Sequence, residues 1–532
     1  MPDPGHPQPI DHRIPGALLR PAAFPHPADD LQLIETHISW VILAGDYAYK
    51  IKKPVNLGFL DFSTLANRRH YCTEELRLNR RLAASYYLEL SPITASPEGP
   101  VVDGNGDIIE YAVRMRRLPA HALLKDRLST QPVPATLLDK LADQIARFHQ
   151  QVAVATSDTL YGDPDRVAAP VLDNVTTLRR LLTTEQSVML LDRLEGWLRS
   201  QLTVLQPLLA QRKQQGFIRE CHGDLHLGNI AVVDHDIVIF DCLEFNAELR
   251  WTDTFNELAF LVMDLHAAKQ WPAAQQLLNR YLEHTGDYPG LRLLDFYCCY
   301  RAMVRAKVCA LQASQHAAPS EQRRDLLDQA QRYLMLACHY QRPRTPALIL
   351  THGYSGSGKS TITGRLLQQL GAIRIRSDIE RRRPPHTPAV SAVNQGNYSP
   401  QARATVYHRL LALSEHITRA GFPVIVDATF LQAWQRQLFV ELGRSCKLPL
   451  LILDCQAPDT VLRRWITQRQ ALRQDPSEAT LEVLAMQQRT AQPLTTDEQA
   501  CAIVVDTTTD VDIAQLAGNI IRRLRLDLPA DW

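Results

Sequence analysis

Eight consecutive residues, Gly353, Tyr354, Ser355, Gly356, Ser357, Gly358, Lys359 and Ser360, constrain the fold of this chain more than any others. They follow a short apolar run, Ala347 to Thr351, and lead into a helical pattern from Lys359 to Leu370. A buried strand that turns through glycines into a helix can wrap backbone N–H groups around an anion, and the helix N-terminus adds positive potential. The spacing Gly-x-x-x-x-Gly-Lys-Ser adds an ammonium (Lys359) for the outer phosphates of a nucleotide and a hydroxyl (Ser360) for its divalent cation. Further apolar runs, Ile373 to Arg376, Pro423 to Asp427, Leu448 to Leu453 and Ala502 to Asp506, alternate with helical segments and end in a helix from Val511 to Leu526. That alternation predicts an α/β domain with a doubly wound parallel sheet over residues 347–532.

The acidic residues at the strand ends suggest chemistry. Asp427 ends one strand beside the glycine loop, where it would support the metal. Asp378 and Arg381 follow another strand at i, i+3; Asp378 also suits a helix N-cap. This P-loop arrangement resembles the polynucleotide-kinase, zeta-toxin and gluconate-kinase group. The resemblance implies that Asp378 activates an acceptor hydroxyl and Arg381 grips acceptor or phosphate. Gly353 through Ser360 and Thr361 would contact ATP, with Ser360 and Asp427 at Mg²⁺. Arg463, Arg464, Arg469 and Arg473 lie on a lid-like stretch before Asp475 to Glu478; Arg469 and Arg473 are the candidates to neutralise a transferring phosphoryl group.

A second constellation lies upstream: His222, Gly223, Asp224, Leu225, His226, Leu227, Gly228 and Asn229, then an apolar run from Ile237 to Phe240 that delivers Asp241. An acid, an amide five positions on and a second acid after a short strand echo the kinase pattern of catalytic Asp, metal-binding Asn and metal-binding Asp. Gly223 stands where protein kinases have Arg, and Cys242 and Leu243 replace the Phe-Gly after the second Asp. The pattern therefore resembles the aminoglycoside phosphotransferase–choline kinase superfamily of small-molecule kinases. Asp224 would be the base, and Asn229 and Asp241 the metal ligands. Glu244, Phe245 and Asn246 could touch the second metal or the loop, and the stretches Arg250 to Asp253 and Glu257 to Asp264 read as a helix bracing it.

Upstream again, Ser39 to Leu43 and Asp46 to Lys52 flank Ala44-Gly45, a hairpin signal. Ala48 and Lys50 share a strand face, which suits a lysine gripping nucleotide phosphates; Lys52 shares that face and is a possible substitute. Asn67 to Leu82 is helical in pattern and supplies a carboxylate for that lysine, Glu75 or alternatively Glu74. The turn Thr36 to Ser39 lacks the glycines that cover phosphates in protein kinases. Together with stretches at 37–41, 48–54, 57–62, 75–79 and 260–264, these features resemble a bacterial family. Its members fuse an aminoglycoside-phosphotransferase-like domain to a C-terminal P-loop domain. The expected organisation is a flexible lead (1–28), an α+β bilobal protein-kinase-like domain (29–340, its first lobe to about 118), a linker (341–346) and the P-loop domain.

Length and composition set limits. At 532 residues the chain has room for two or three domains, and 45% hydrophobic content supports full cores. A net charge of +1 argues against a general polyanion binder. Ten scattered cysteines, no apolar signal core and no long apolar run point to a cytoplasmic protein without a membrane span. The expected partners are ATP and an unidentified small-molecule hydroxyl acceptor at each site. The cluster Arg374, Arg376, Arg381, Arg382 and Arg383 leaves nucleic acid a less favoured partner. Two other readings stay open: an active P-loop domain with a pseudokinase sensor, and a non-catalytic ATP switch.

Overall fold

The computed structural model describes residues 14–56, 58, 60–130, 132–316, 320–383, 400–472 and 480–527. Arg473, the turn at 475–478, residues 1–13, and Leu57 and Phe59 lie outside the described residues. The chain divides into two compact units, Met1–Thr177 with Leu198–Asp264, and Leu178–Trp197 with Leu265–Trp532.

The first unit holds an antiparallel sheet of β1 (Gln32–Glu35), β2 (Ser39–Ala44), β3 (Tyr47–Lys52), β4 (Tyr87–Thr94), β5 (Val101–Val102) and β6 (Ile108–Arg116). Its order is β1-β2-β3-β6-β4-β5, so β3 is an interior strand. Lys50 sits opposite Val41 on β2 and Val113 on β6, which fixes its position. The helix Leu65–Ala83 begins where the Thr64 hydroxyl accepts from Asn67 N at 3.1 Å. Its Cys72 and Leu76 pack with Tyr87, Val113, Ala231 and Val238.

Residues 14–28 correct the expectation of a flexible lead up to 28. Leu18, Ala23, Phe24 and Ala28 are buried in one core with Trp40, Ile42, Tyr49 and Ile51. Four apolar side chains with a sheet face to cover outweigh the Pro-rich composition.

Two short ladders carry the acidic loops. β7 (Ile218–Glu220) pairs with β10 (Trp251–Asp253), and β8 (Ile230–Val233) with β9 (Asp236–Ile239). Asp234 and His235 turn the second hairpin with φ of 48° and 71°, the left-handed geometry a two-residue turn requires. The stretch Arg250 to Asp253, expected as helix, is instead strand from Trp251; the helix runs Thr254–Ala267. Asp253 is held by the buried Arg212 through Nε and Nη2 at 2.7 and 2.8 Å, and its own Oδ1 accepts from Phe255 N. That carboxylate marks the helix start.

The second unit contains β11 (Leu348–His352), β12 (Ile373–Arg376), β13 (Val424–Asp427), β14 (Leu450–Gln456) and β15 (Ala502–Asp506), all parallel, in the order β12-β13-β11-β14-β15. The order reverses at β11, so the loop leaving β11 opens at the switch point of the sheet, where such folds bind ligands. The helices Lys359–Leu370 and Ile513–Leu524 cover one core of this sheet.

The helices from 265 to 340 lie in the same compact unit as this sheet. Helix Trp271–Thr285 covers edge strand β12. Asn279 Oδ1 accepts from Arg374 N at 2.7 Å, and Asn279 Nδ2 and Gln275 Nε2 donate to Ala372 O at 3.0 and 2.7 Å. Side-chain amides thus satisfy an edge that would otherwise expose backbone polar groups.

Candidate active sites

In the first unit, Lys50 and Lys52 point from β3 toward the same helix. Lys50 Nζ lies 2.8 Å from Glu75 Oε1 and also bonds Asp241 Oδ1. Lys52 Nζ donates to Glu75 Oε2 at 2.7 Å and to Glu244 Oε1. Glu75 is therefore shared by both lysines. Glu74 turns outward to Arg77, 2.8 Å away. Exposure separates the two lysines: Lys52 is fully buried, whereas the Lys50 side chain is 13% exposed and the Asp241 side chain 42%. Burial alone would lower both ammonium pKa values, but the carboxylates around them raise both. Burial would likewise raise Glu75, yet the two lysines bring it down to about 2. Glu244 is raised, because its burial outweighs the pull of Lys52.

Asp241 has φ of 64°, a left-handed backbone uncommon for a non-glycine residue. Its N–H donates to the Tyr87 hydroxyl at 3.2 Å, and the next N–H, of Cys242, donates to Asn79 Oδ1 at 2.9 Å. These contacts hold the strained turn that aims Asp241 at Lys50.

The loop bearing Asp224 is fastened from three sides. His222 Nδ1 accepts from Asp224 N at 3.3 Å, so its Nε2–H donates to Phe240 O at 2.9 Å, and burial lowers its pKa toward this neutral form. Gly223 N donates to Glu257 Oε2 at 2.7 Å and Leu227 N to Asp264 Oδ2 at 2.9 Å, both acids on the helix Thr254–Ala267. Asn229 Nδ2 donates to Asp224 O and Oδ2 at 3.0 and 3.1 Å, which leaves its Oδ1 as the group for a cation. Among the described residues, His149, Cys221 and Glu257 converge closely enough to suggest a metal. His149 Nε2 sits 2.9 Å from Glu257 Oε1, Glu257 already holds the loop, and burial keeps the Cys221 thiol protonated. This trio braces the loop.

Sequence reasoning read Glu257 to Asp264 as a bracing helix, and its two end acids make the bonds to the loop; it placed Glu244 at the metal or the loop and did not single it out as a lysine partner. The spacing signal for Glu244 was its place three residues after Asp241.

In the second unit the glycine loop lines a cavity of 1080 Å³ with Ser355, Gly356, Gly358, Lys359, Ser360 and Thr361. Gly353, Tyr354 and Ser357, expected at ATP, are not among its lining residues. Tyr354 packs against Leu462, Ile466 and Leu484, and Ser357 is buried. Gly353 (φ 137°) must be glycine: a Cβ there would lie 2.4 Å from Cys455 O. Lys359 Nζ donates to Tyr354 O at 2.7 Å, and burial lowers its pKa against the pull of Asp427. Helix Leu481–Thr490 holds the loop, since Gln487 accepts from Ser355 N and donates to its hydroxyl, each at 2.9 Å.

The same cavity brings together Asp378, Arg381, Asp427 and Arg469. Arg381 Nη1 lies 3.3 Å from Asp378 Oδ1, and Arg376 Nε 3.7 Å from the buried Asp427. Helix Ser377–Glu380 begins after Arg376, so Asp378 is in its first turn rather than at its cap. Arg463 is on the surface with Asp459, 2.7 Å away. The hydroxyls and carboxylates of both sites, with the Asn229 amide, are hard oxygen donors that fit a Mg²⁺-type cation.

The comparisons agree with this geometry. A family model described as a phosphotransferase enzyme family matches residues 69–294, and one described as an AAA domain matches 348–494. The chain is 31% identical over 467 residues to an uncharacterized protein of Mycobacterium tuberculosis and to one of Mycobacterium bovis, spanning 86% of this chain and 90% of each relative. Similar solved structures include a choline/ethanolamine kinase family protein from Mesorhizobium loti, 13% identical, covering 62% of this chain and 98% of that one at a TM-score of 0.37. Another is the APS kinase of Mycobacterium tuberculosis, 18% identical, covering 35% and 99% at a TM-score of 0.27. With kinase-type domains matched in both halves, the chain is an ATP-dependent phosphotransferase. It belongs to the family that joins an aminoglycoside phosphotransferase-like, choline kinase-like domain to a C-terminal P-loop kinase domain.

Proposed function

We propose that the protein is bifunctional, with each domain moving the γ-phosphoryl group of ATP to a hydroxyl of its own small-molecule acceptor with Mg²⁺ as the metal. The observation that carries this reading is the convergence of Lys50, Glu75 and Asp241, up to 191 positions apart in sequence, beside the Asp224–Asn229 pair. A chain that had abandoned chemistry there has no need to keep Asp224 and Asp241 partly exposed, the second on a left-handed backbone.

In the first domain Lys50, oriented by Glu75, draws the nucleotide phosphates toward Asp241. Asp224 takes the acceptor proton as the acceptor oxygen bonds to phosphorus and the bond to the ADP oxygen breaks. In the second, Lys359 and the loop amides hold the phosphates, Asp378 takes the proton, and Arg381 and Arg469 offset charge on the moving group. A bound Mg²⁺ would neutralise phosphate charge, held by Asn229 and Asp241 in one site and by Ser360 and Asp427 in the other.

Equilibrium binding of a non-hydrolysable ATP analogue tests the two-site reading. We expect two nucleotides per chain, falling to one in Lys359→Ala and to a different one in Lys50→Met. A stoichiometry of one, abolished by Lys359→Ala and untouched by Lys50→Met, would replace it with a P-loop kinase carrying a sensor domain.

A further inference from the structure

We infer that Gln487 is a positioning residue of the P-loop site: it turns the Ser355 side chain so that its hydroxyl donates a hydrogen bond to the phosphoryl group in transfer. That role rests on reading this cavity as a kinase site, and it adds a side-chain donor to the loop amides.

Elementary chemistry fixes how the Gln487 amide is turned. A backbone N–H can only donate, so the atom 2.9 Å from Ser355 N is the amide oxygen, Oε1. The amide nitrogen Nε2 then lies 2.9 Å from Ser355 Oγ, and it too can only donate. Ser355 Oγ therefore accepts from Gln487, and its own proton points away from that amide. Ser355 is partly exposed and lines the cavity, as Gln487 does. The open side of the hydroxyl is the cavity.

The position of Ser355 says what it meets there. Lys359 Nζ donates at 2.7 Å to Tyr354 O, the carbonyl of the same peptide group whose N–H belongs to Ser355. The ammonium that draws the outer phosphates of a nucleotide thus sits one peptide from the Ser355 side chain. A hydroxyl at that end of the loop, its proton turned into the cavity, faces oxygens of the γ-phosphoryl group.

The loop has other supports, so the bond to the hydroxyl is not needed merely to hold it. Tyr354 packs against Leu462, Ile466 and Leu484, and a Cβ on Gly356 would lie 2.9 Å from Ile466 Cγ1. What Gln487 adds is direction. The helix that carries it is pinned on two sides. Gln488 Nε2 donates to Asp459 Oδ1 at 2.7 Å; Gln432 Nε2 donates to Thr490 O at 2.6 Å and Gln492 N to Leu431 O at 2.8 Å. An amide on a fixed helix keeps the hydroxyl in one orientation before substrate arrives, and a donor already in place is one that counts when charge moves.

In the transfer the acceptor oxygen bonds to phosphorus, the electron pair of the breaking bond goes to the ADP oxygen, and the acceptor proton goes to Asp378. Ser355 keeps its proton and forms no bond to phosphorus. It donates to a non-bridging oxygen of the moving group, where negative charge is spread.

The test is equilibrium binding to the full chain carrying Lys50→Met, in which only the P-loop site is expected to take nucleotide. The probes are ADP with Mg²⁺, and ADP with Mg²⁺ and aluminium fluoride, which stands in for the phosphoryl group in transfer. Ser355→Ala, which leaves the backbone bond to Gln487 intact, should weaken the fluoride complex by about ten- to a hundredfold and change ADP affinity by about twofold or less. Gln487→Ala should also weaken the fluoride complex more than ADP. Because it acts through the hydroxyl, adding it to Ser355→Ala should cost little more. Unchanged fluoride binding in Ser355→Ala overturns the inference. So does an equal loss of ADP and fluoride complex in Gln487→Ala, which is the mark of a residue that only holds the loop, and so do losses that add in full. If the starting chain binds the fluoride complex no more tightly than ADP, or Lys359→Ala binds it equally well, the kinase reading of the cavity fails and takes this role with it.

Discussion

On the proposed reading, the two sites would hold phosphate in opposite ways. In the P-loop domain the backbone would do it: eight consecutive residues, a glycine fitted against Cys455 O and a helix start. In the kinase-like domain side chains would do it, through a buried network of two lysines and two glutamates reaching out to Asp241. A backbone cradle costs little when emptied. A buried ion network is stable only as a complete set, because each charge left without its partner sits desolvated.

That difference gives predictions, from the largest expected effect to the smallest. Asp224→Asn should lower turnover at the first site by about 10²–10⁴-fold, as loss of a general base does, with little change in melting temperature. Glu75→Gln should destabilise the first domain by about 3–5 kcal/mol in chemical denaturation, because both lysines lose their shared partner. Adding Lys52→Met should recover part of that loss, and a double variant no better than the single would break the network account. Gly353→Ala should cost the P-loop domain roughly 1–3 kcal/mol through its disallowed backbone and the clash with Cys455 O. Glu74→Gln, one residue from Glu75 but on the surface, should change stability by about 0.5 kcal/mol or less.

The network also fixes a pH dependence. Glu75 is held down at about 2 by its lysines, below its ordinary value. A depressed carboxylate stabilises the fold above its unfolded-state pKa and loses that contribution as pH falls through the folded value. The stability supplied by Glu75 should therefore be complete at neutral pH and decline from about pH 4.5 toward 2. Glu75→Gln should flatten the acid limb of the stability curve over that window.

The same contrast explains what was legible in the sequence. The P-loop site was readable because its parts are contiguous and its strands and helix begin and end close to where periodicity places them. The loop from His222 to Asn229 is contiguous too, and only the short β8–β9 hairpin separates it from Asp241. The link from Lys52 to Glu244 was not, since it joins positions 192 apart and depends on which strand neighbours the helix. Propensity also misjudged residues 14–28, where Pro-rich composition hid four side chains with a core to fill. Trp251 to Asp253 lay beside an apolar helix and took strand form because β7 offered a partner. The bonds that Gln275 and Asn279 make to the edge strand β12 and the residue before it were not legible either, since no local pattern reveals that role for polar helix residues.

The central claim is that both sites transfer phosphoryl groups independently. Transfer from γ-labelled ATP to a pooled metabolite library, by the wild type, Asp224→Asn, Lys359→Ala and the double variant, tests it most directly. The account predicts two sets of labelled products: Asp224→Asn loses one, Lys359→Ala loses the other, and the double variant loses both. Labelling that disappears entirely in Lys359→Ala and is unchanged in Asp224→Asn would contradict it.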